Sequence, residues 1–401
     1  MRIGISLLII ISGFTSLFLG CKPRDKSQET RENNEISSLL EKRYQNLKDY
    51  SVDSLAFPRS FDLVSGEIKK VPSKDWTSGF FPGNLWQLYL LTGDKDFKEK
   101  ARQWNAFIEK EKFNDGTHDM GFKVYGSLGK ALQVEENNHY KDVILESAKT
   151  LSTRFNKTVG CIRSWDFNRD VWEFPVIIDN MMNLELLFEA TQMSGDSTYF
   201  NIAVSHANTS LENHFRDDHS SYHVVVYDTV TGAVKNKLTH QGFNDESSWA
   251  RGQAWAVYGY TMSYRYTKRK EYLNQAESSA NYFLDNNHLP QDGIPYWDFD
   301  DPQIPKSPRD VSAATIMSSA LIELFEITGK EKYLKYSDKV IKSLMSEEYI
   351  ISEDIEAPFI LDHSTGNWPK NDEIDGPIVY ADYYFLETLL RRRALKSKPN
   401  K

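Results

Sequence analysis

A chain of 401 residues, 40% hydrophobic and 26% charged, holds ample apolar material for a packed core. Its net charge of −9, with no basic block beyond the N-terminus to offset it, excludes a nucleic-acid partner. An anionic ligand stays compatible only if its site supplies positive charge locally. The 9 Trp, 21 Tyr and 22 Phe are enough both to pack between helices and to stack on sugar faces.

The chain opens with a basic start, Met1-Arg2, and an apolar run, Ile3–Leu19, that is short for a membrane span. It ends in Leu17-Phe18-Leu19-Gly20-Cys21, which resembles a bacterial lipoprotein signal. We expect residues 1–20 to be a signal peptide and Cys21 to carry the lipid. An ordinary signal peptide is the alternative. Residues 22–35 are polar, charged and non-periodic, as a tether should be. The protein is thus expected at the cell envelope, periplasmic or surface-facing, touching the membrane through its lipid anchor only. Cys161 is the one remaining thiol, so no intrachain disulfide is expected, and no Cys/His spacing points to a metal.

From residue 36 to about 395 the chain reads as one helical domain. Apolar residues recur at three- and four-residue steps in 80–93, 177–194, 249–267, 310–328 and 378–392. More polar amphipathic stretches lie near 36–50, 96–110, 120–134, 139–156, 198–215, 270–286 and 331–346. A junction signature recurs: Thr92-Gly93-Asp94 precedes Phe97, Ser194-Gly195-Asp196 precedes Tyr199, and Thr328-Gly329-Lys330 precedes Tyr333. A glycine-free version runs from Thr267 to Tyr272. The glycine can end one helix in the left-handed conformation, and the aromatic can pack the next helix back. Twelve helices paired as six hairpins suit either a closed (α/α)6 barrel or an open solenoid, and periodicity admits both. Two stretches break the rhythm. Residues 222–227 read as a strand leading to a turn at Gly232, and 293–299 as a second short extended piece. Both are expected beside the substrate mouth.

Polar and aromatic clusters sit at the starts of the apolar helices: Asp75-Trp76-Thr77, His118-Asp119-Met120, Ile178-Asp179-Asn180, Tyr222-His223 and His240-Gln241-Gly242. Arg251 and Trp255 are four apart and would share a helix face, a cation beside an indole that suits a sugar carboxylate. Each has an ordinary reading. Asp119 and Asp179 stand where N-caps stand. His118 and His223 could be satisfied core histidines, Arg251 an ion-pair partner, and Trp76 and Trp255 core aromatics.

Taken together, HDMGF, IIDNMMNL, SSYHVVVYD, THQGFNDESSWARGQAWAVYG, DGIPYWDF and ADYYFLETLLR, in this order, strongly resemble the unsaturated glucuronyl hydrolases of glycoside hydrolase family 88. The resemblance runs from about Asp75 to Leu390. It implies an all-α fold, an (α/α)6 barrel with short β insertions at its mouth. It implies a glycosidase that takes a 4,5-unsaturated uronic acid from the non-reducing end of lyase-generated oligosaccharides, with no cofactor. By the same resemblance Asp179 is the catalytic acid/base and Asp119 the second essential aspartate. Trp76, His118, Trp165, His223, Gln241, Arg251 and Trp255 then match the subsite for the unsaturated sugar. The chemistry implied is protonation of C4 of the enol ether and addition of water at C5, for which one carboxyl group suffices.

Two other classes compete. A non-catalytic glycan-binding lipoprotein needs stacking aromatics but no paired aspartates. A polysaccharide lyase of similar fold would create the enoate chromophore that a hydrolase destroys. The leaving sugar, from ulvan, a glycosaminoglycan or another uronate polymer, is left open, as is the oligomeric state. Its recognition is expected to involve the segment 361–370, which departs from the glycosaminoglycan-cleaving pattern.

Overall fold

Two kinds of helix alternate along the chain, and the difference between them sets the architecture. The computed structural model describes residues 26–397, so the signal segment and Cys21 lie outside the described residues. The helices are α1 (Lys26–Asp49), α2 (Phe80–Thr92), α3 (Lys95–Ile108), α4 (Gly126–Leu132), α5 (Asn138–Ser152) and α6 (Leu184–Ser194). They continue as α7 (Ser197–Asn213), α8 (Ala250–Thr267), α9 (Lys270–Leu284), α10 (Val311–Thr328), α11 (Glu331–Leu344) and α12 (Val379–Ser397). Burial is unbroken from Phe80 to Leu88 in α2, Ala250 to Ser263 in α8, Val311 to Ile322 in α10 and Val379 to Thr388 in α12. Helices covered on every side belong in the centre of a fold. In α11, by contrast, the buried residues are Tyr333, Tyr336, Ser337, Val340 and Leu344, a single stripe. The even-numbered helices therefore form an inner ring and the odd-numbered ones an outer layer. Helix α10 is long and apolar enough to cross a membrane but is a buried member of the inner ring.

Closure of the ring decides between barrel and solenoid. The last inner helix, α12, packs against both α10 and the first, α2. Asn84 and Gln87 on α2 donate to the carbonyls of Val379 and Tyr383 on α12, at 3.2 and 3.1 Å. An open array would leave these buried amides without partners. The fold is an (α/α)6 barrel.

The junction signature does what its residues allow. Gly93, Gly195 and Gly329 adopt φ of 77, 75 and 69° and end α2, α6 and α10, each N–H returning to the carbonyl four residues back. At the glycine-free junction Lys268 takes the left-handed conformation itself, φ 57°. Phe97, Tyr272 and Tyr333 are all buried in the next helix.

Three expectations are corrected. The segment 22–35, read as an irregular tether, is helical from Lys26, because from that residue on its Lys, Gln, Glu and Arg side chains favour helix and no Gly or Pro interrupts them. The helix read over 120–134 begins as a π-helical turn, Gly121–Tyr125. That read over 177–194 begins as strand β5 (Pro175–Ile177) and a 3-10 turn, Ile178–Asn183. The strand read at 222–227 is β6 (Val224–Tyr227), which pairs with both β5 and β7 (Val234–Leu238) around a turn at Gly232. Residues 293–299 make only single bridges, Tyr296 to Arg309 and Trp249 to Asp298. Two hairpins lie outside the sequence reading: β1 (Phe57–Asp62) with β2 (Glu67–Val71), and β3 (Phe155–Asn156) with β4 (Cys161–Ile162).

Candidate active site

The inner helices α2, α8, α10 and α12 all begin at one end of the barrel, beside the π turn and the 3-10 turn. A cavity of about 360 Å³ opens there. Trp76 reaches it from the turn before α2, a turn held by Asp75, whose carboxylate accepts from Thr77 N and Oγ1. His118 and Asp119 come from the loop before the π turn, and Asp179 from the 3-10 turn after β5. Arg251 comes from the first turn of α8 and Tyr380 from the first turn of α12. Helix N-termini carry positive partial charge. This end of the barrel therefore supplies the local positive field that an anionic ligand needs on a net-negative protein.

Two carboxyl groups in this cavity are driven in opposite directions. Burial pushes the Asp179 carboxyl up to about 7, reinforced by Asp119 and opposed by His118 and Arg251. Burial acts against ionisation of Asp119 too, but there His118, Thr117 and Lys123 prevail and hold it below the usual carboxylate range. His118 Nε2 lies 3.1 Å from Asp119 Oδ1, and Thr117 Oγ1 donates to Oδ2 at 2.6 Å. Titratable neighbours whose environments separate their proton affinities mark an acid–base pair. Neither aspartate caps a helix, since the cap positions are taken by Met120 and Ile177.

Of the remaining sequence candidates, Trp76, His118, Trp165, Gln241 and Arg251 line the cavity. Trp165 stacks on Phe167 with ring centroids 5.3 Å apart and planes 8° from parallel. Gln241 donates from Nε2 to the Gly366 carbonyl at 3.2 Å.

Trp255 does not reach the cavity. Four residues after Arg251 is one helical turn, about 6 Å, further down the barrel axis. There the indole is fully buried against Phe122 and Tyr384. The aromatic rings beside Arg251 are instead Trp249, at 4.5 Å, and Tyr380, at 5.4 Å. His223 is not a wall residue either. It stands behind Asp179, its Nε2 3.8 Å from Asp179 Oδ2.

Arg251 combines both of its readings. It lines the cavity, yet its guanidinium is buried and bound by protein. Nη1 donates to Asp310 Oδ2 and the Thr365 carbonyl, both at 2.6 Å, and Nη2 donates to the Gly366 carbonyl.

Several lining residues escaped the sequence reading. Arg59, on β1, makes a bidentate pair with Glu373, 2.7 Å on each arm, and reaches Asp75 at 3.0 Å. Phe167 and Tyr380 also line the cavity, and so do residues the sequence did point to: His240 beside Gln241, and Gly366, Asn367 and Lys370 from the segment 361–370. Lys370 Nζ lies 2.9 Å from His240 Nε2.

Comparison with known proteins agrees with this construction. The profile of Glycosyl Hydrolase Family 88 matches residues 56–286. A curated protein of Formosa agariphila named unsaturated glucuronyl hydrolase is 58% identical over 391 residues, 97% of this chain and 98% of its own. One of the same name from Bacillus sp. is 35% identical over 326 residues, 79% of this chain and 86% of its own. A crystal structure described as an unsaturated glucuronyl hydrolase specific for heparin superposes with TM-score 0.87 at 42% identity, covering 92% of this chain and 99% of its own. That of the Bacillus sp. GL1 enzyme gives 0.82 at 31%, covering 90% and 96%. With the inner-ring barrel, the paired aspartates at its mouth and relatives that span almost the whole chain, the protein belongs to glycoside hydrolase family 88, the unsaturated glucuronyl hydrolases.

Proposed function

We propose that Asp179 is the acid, and then the base, with which this glycosidase hydrates the terminal unsaturated sugar, while Asp119 stays ionised and holds substrate hydroxyls. The observation that carries the reading is the opposite displacement of the two carboxyl groups within one cavity. Asp179 transfers its proton to C4 of the C4=C5 enol ether, leaving oxocarbenium character at C5 and the ring oxygen. Water adds at C5 and gives its proton to the Asp179 carboxylate, which restores the acid. The hemiketal so formed opens to a ketone, and the freed hemiacetal at C1 expels the leaving sugar as an alcohol. One carboxyl serves both steps, so the separation rule for paired glycosidase carboxylates does not apply. Trp76, His118, Trp165 and Gln241 hold the ring, and Arg251 with the helix N-termini faces its carboxylate.

The leaving sugar meets the wall formed by Gly366, Asn367 and Lys370, all within the segment that departs from the glycosaminoglycan-cleaving pattern. Ulvan and glycosaminoglycan fragments are the two classes to separate. A panel of ulvan-, heparin- and chondroitin-lyase products, followed by loss of the enoate's ultraviolet absorbance, tests the reading. We expect turnover on at least one class, with kcat/KM ranking the leaving sugars. No absorbance loss on any of them would remove the function.

The protein is proposed to work at the cell envelope, anchored through lipidated Cys21. Fatty-acid labelling should mark the wild-type chain and not Cys21→Ala, and the unlabelled domain should keep its kcat. A soluble, unlabelled wild type would discard the anchor and leave the enzyme reading intact.

A further inference from the structure

His223 lies behind the acid rather than in the cavity wall, and its two ring nitrogens have very different surroundings. Nδ1 faces two main-chain donors, His240 N at 3.0 Å and Gln241 N at 3.1 Å, with Thr239 Oγ1 at 3.5 Å. A ring nitrogen that receives amide N–H groups must offer its lone pair, so the neutral ring carries its hydrogen on Nε2. The turn that presents these amides is itself fixed. Gly242 N donates to Thr239 Oγ1 and Thr239 N to Asp245 Oδ1, both at 2.8 Å. Phe243 N and Ser247 Oγ donate to the buried Asp298 Oδ2 at 2.9 and 2.8 Å. The imidazole also packs on Trp249, with ring centroids 4.7 Å apart.

Nε2 points at Asp179 Oδ2 across 3.8 Å, and both atoms are buried without a hydrogen-bond partner. Two orphaned polar atoms facing each other are unusual in a folded interior and are characteristic of functional sites. A gap of 3.8 Å is wider than a hydrogen bond and closes with a side-chain movement of under about 1 Å.

We infer that His223 is a positioning residue that keeps the acidic proton of Asp179 on Oδ1, with the 239–241 turn setting this by fixing the imidazole tautomer. The inference rests on Asp179 being the acid. A donor facing Oδ2 makes that oxygen an acceptor, so the proton resides on the other oxygen of the carboxyl. Oδ2 is sealed from the cavity, and a proton held there could not reach C4. After transfer, the Nε2–H stabilises the new carboxylate through a charge-assisted bond, and Oδ1 is left to take the proton from water. His223 itself moves no proton. Burial, with His240, Arg251, His214 and His118 nearby, holds its own proton affinity well below the ordinary histidine value. The other charged or titratable groups facing Asp179 are His118 and Asp119 from the preceding loop and Arg251 from α8.

The test has two arms on the full catalytic domain. In ¹⁵N-histidine-labelled wild type, His223 should show a protonated Nε2 and an unprotonated Nδ1, and should not titrate between about pH 5 and 8. A protonated Nδ1, or titration in that window, overturns the inference without touching the assignment of Asp179. In the second arm, kcat/KM is followed against pH for His223→Phe, which lacks the donor, and His223→Gln, which can restore one. Loss of a donor to the ionised form raises the acid's pKa. The basic limb of His223→Phe should therefore move up by about one unit, with kcat down about tenfold and KM little changed. His223→Gln should bring the limb back towards wild type. A folded His223→Phe with an unmoved basic limb and only a raised KM would make His223 a substrate contact and end the proposal. If Asp179→Asn turns over normally, the acid assignment fails first, and the NMR arm still reads the tautomer.

Discussion

Asp179→Asn should fold, bind the unsaturated sugar and lose at least about three orders of magnitude in kcat, since one group supplies both the acid and the base of the reaction. The amide is nearly isosteric with the carboxylic acid, so the cavity keeps its shape, but it has no proton to give C4. The assay is decay of the enoate absorbance, and turnover near wild type would sink the assignment. The same carboxyl dictates the pH behaviour of the wild type. Its proton is held up to about pH 7, so kcat/KM should fall as pH rises through that value. Stability carries an independent sign. A carboxyl whose folded pKa exceeds its unfolded value stabilises the fold fully below the unfolded value, and that contribution is lost as pH rises through the folded one. At pH 8 the wild type therefore holds an ionised buried carboxylate that Asp179→Asn lacks. The variant should melt higher than wild type there, and the difference should shrink towards pH 4. Greater stability paired with lost activity is what a working site predicts, whereas a structural carboxylate would lose both.

How far the sequence could be read depended on how local each feature is. All twelve helices were legible because burial on one stripe or all round leaves a period in the chain, and because Gly93, Gly195 and Gly329 terminate theirs by a purely local conformation. Closure of the ring was not legible. It depends on α12 meeting α2 across some 295 residues, through Asn84 and Val379, and no local pattern encodes that contact. The π turn at Gly121–Tyr125 and the 3-10 turn at Ile178–Asn183 were also hidden. A tighter or wider turn hardly disturbs an apolar spacing, yet Asp179 stands in the 3-10 turn and Asp119 two residues before the π turn. The aspartates were found through long ordered motifs, and the structure then supplied the environments that separate them. Trp255 shows the opposite failure. Sharing a helix face with Arg251 was correct as geometry, but a face extends along the barrel axis, and one turn deeper lies beneath the cavity floor made by Phe122. Arg59 and Glu373 lie 314 residues apart and meet at the cavity rim, and neither carries a motif.

Arg251→Ala should do two separable things, and their separation decides what the residue is for. The guanidinium is buried, pairs with the buried Asp310 carboxylate and donates to the carbonyls of Thr365 and Gly366. Asp310 also caps α10, accepting from Ser312 N at 3.1 Å. Removing the cation leaves a buried carboxylate uncompensated, for which about 3–5 kcal/mol of stability is the usual loss. The Thr365 carbonyl loses the guanidinium donor and the Gly366 carbonyl loses one of its two, keeping Gln241 Nε2, so the wall that continues to Asn367 and Lys370 should loosen. On the catalytic side, losing a charge-assisted partner for the sugar carboxylate should lower kcat/KM by about one to two decades. Arg251→Lys tells the two effects apart, because it keeps the charge but cannot span Asp310 and both carbonyls with one planar fork. If the charge is what the substrate reads, Arg251→Lys should recover most of kcat/KM while its melting temperature stays depressed. If Arg251→Lys is as slow as Arg251→Ala, the residue acts by shaping the 364–367 wall. A folded Arg251→Ala with unchanged kcat/KM and lowered stability would return Arg251 to the role of an ion-pair strut between α8 and α10.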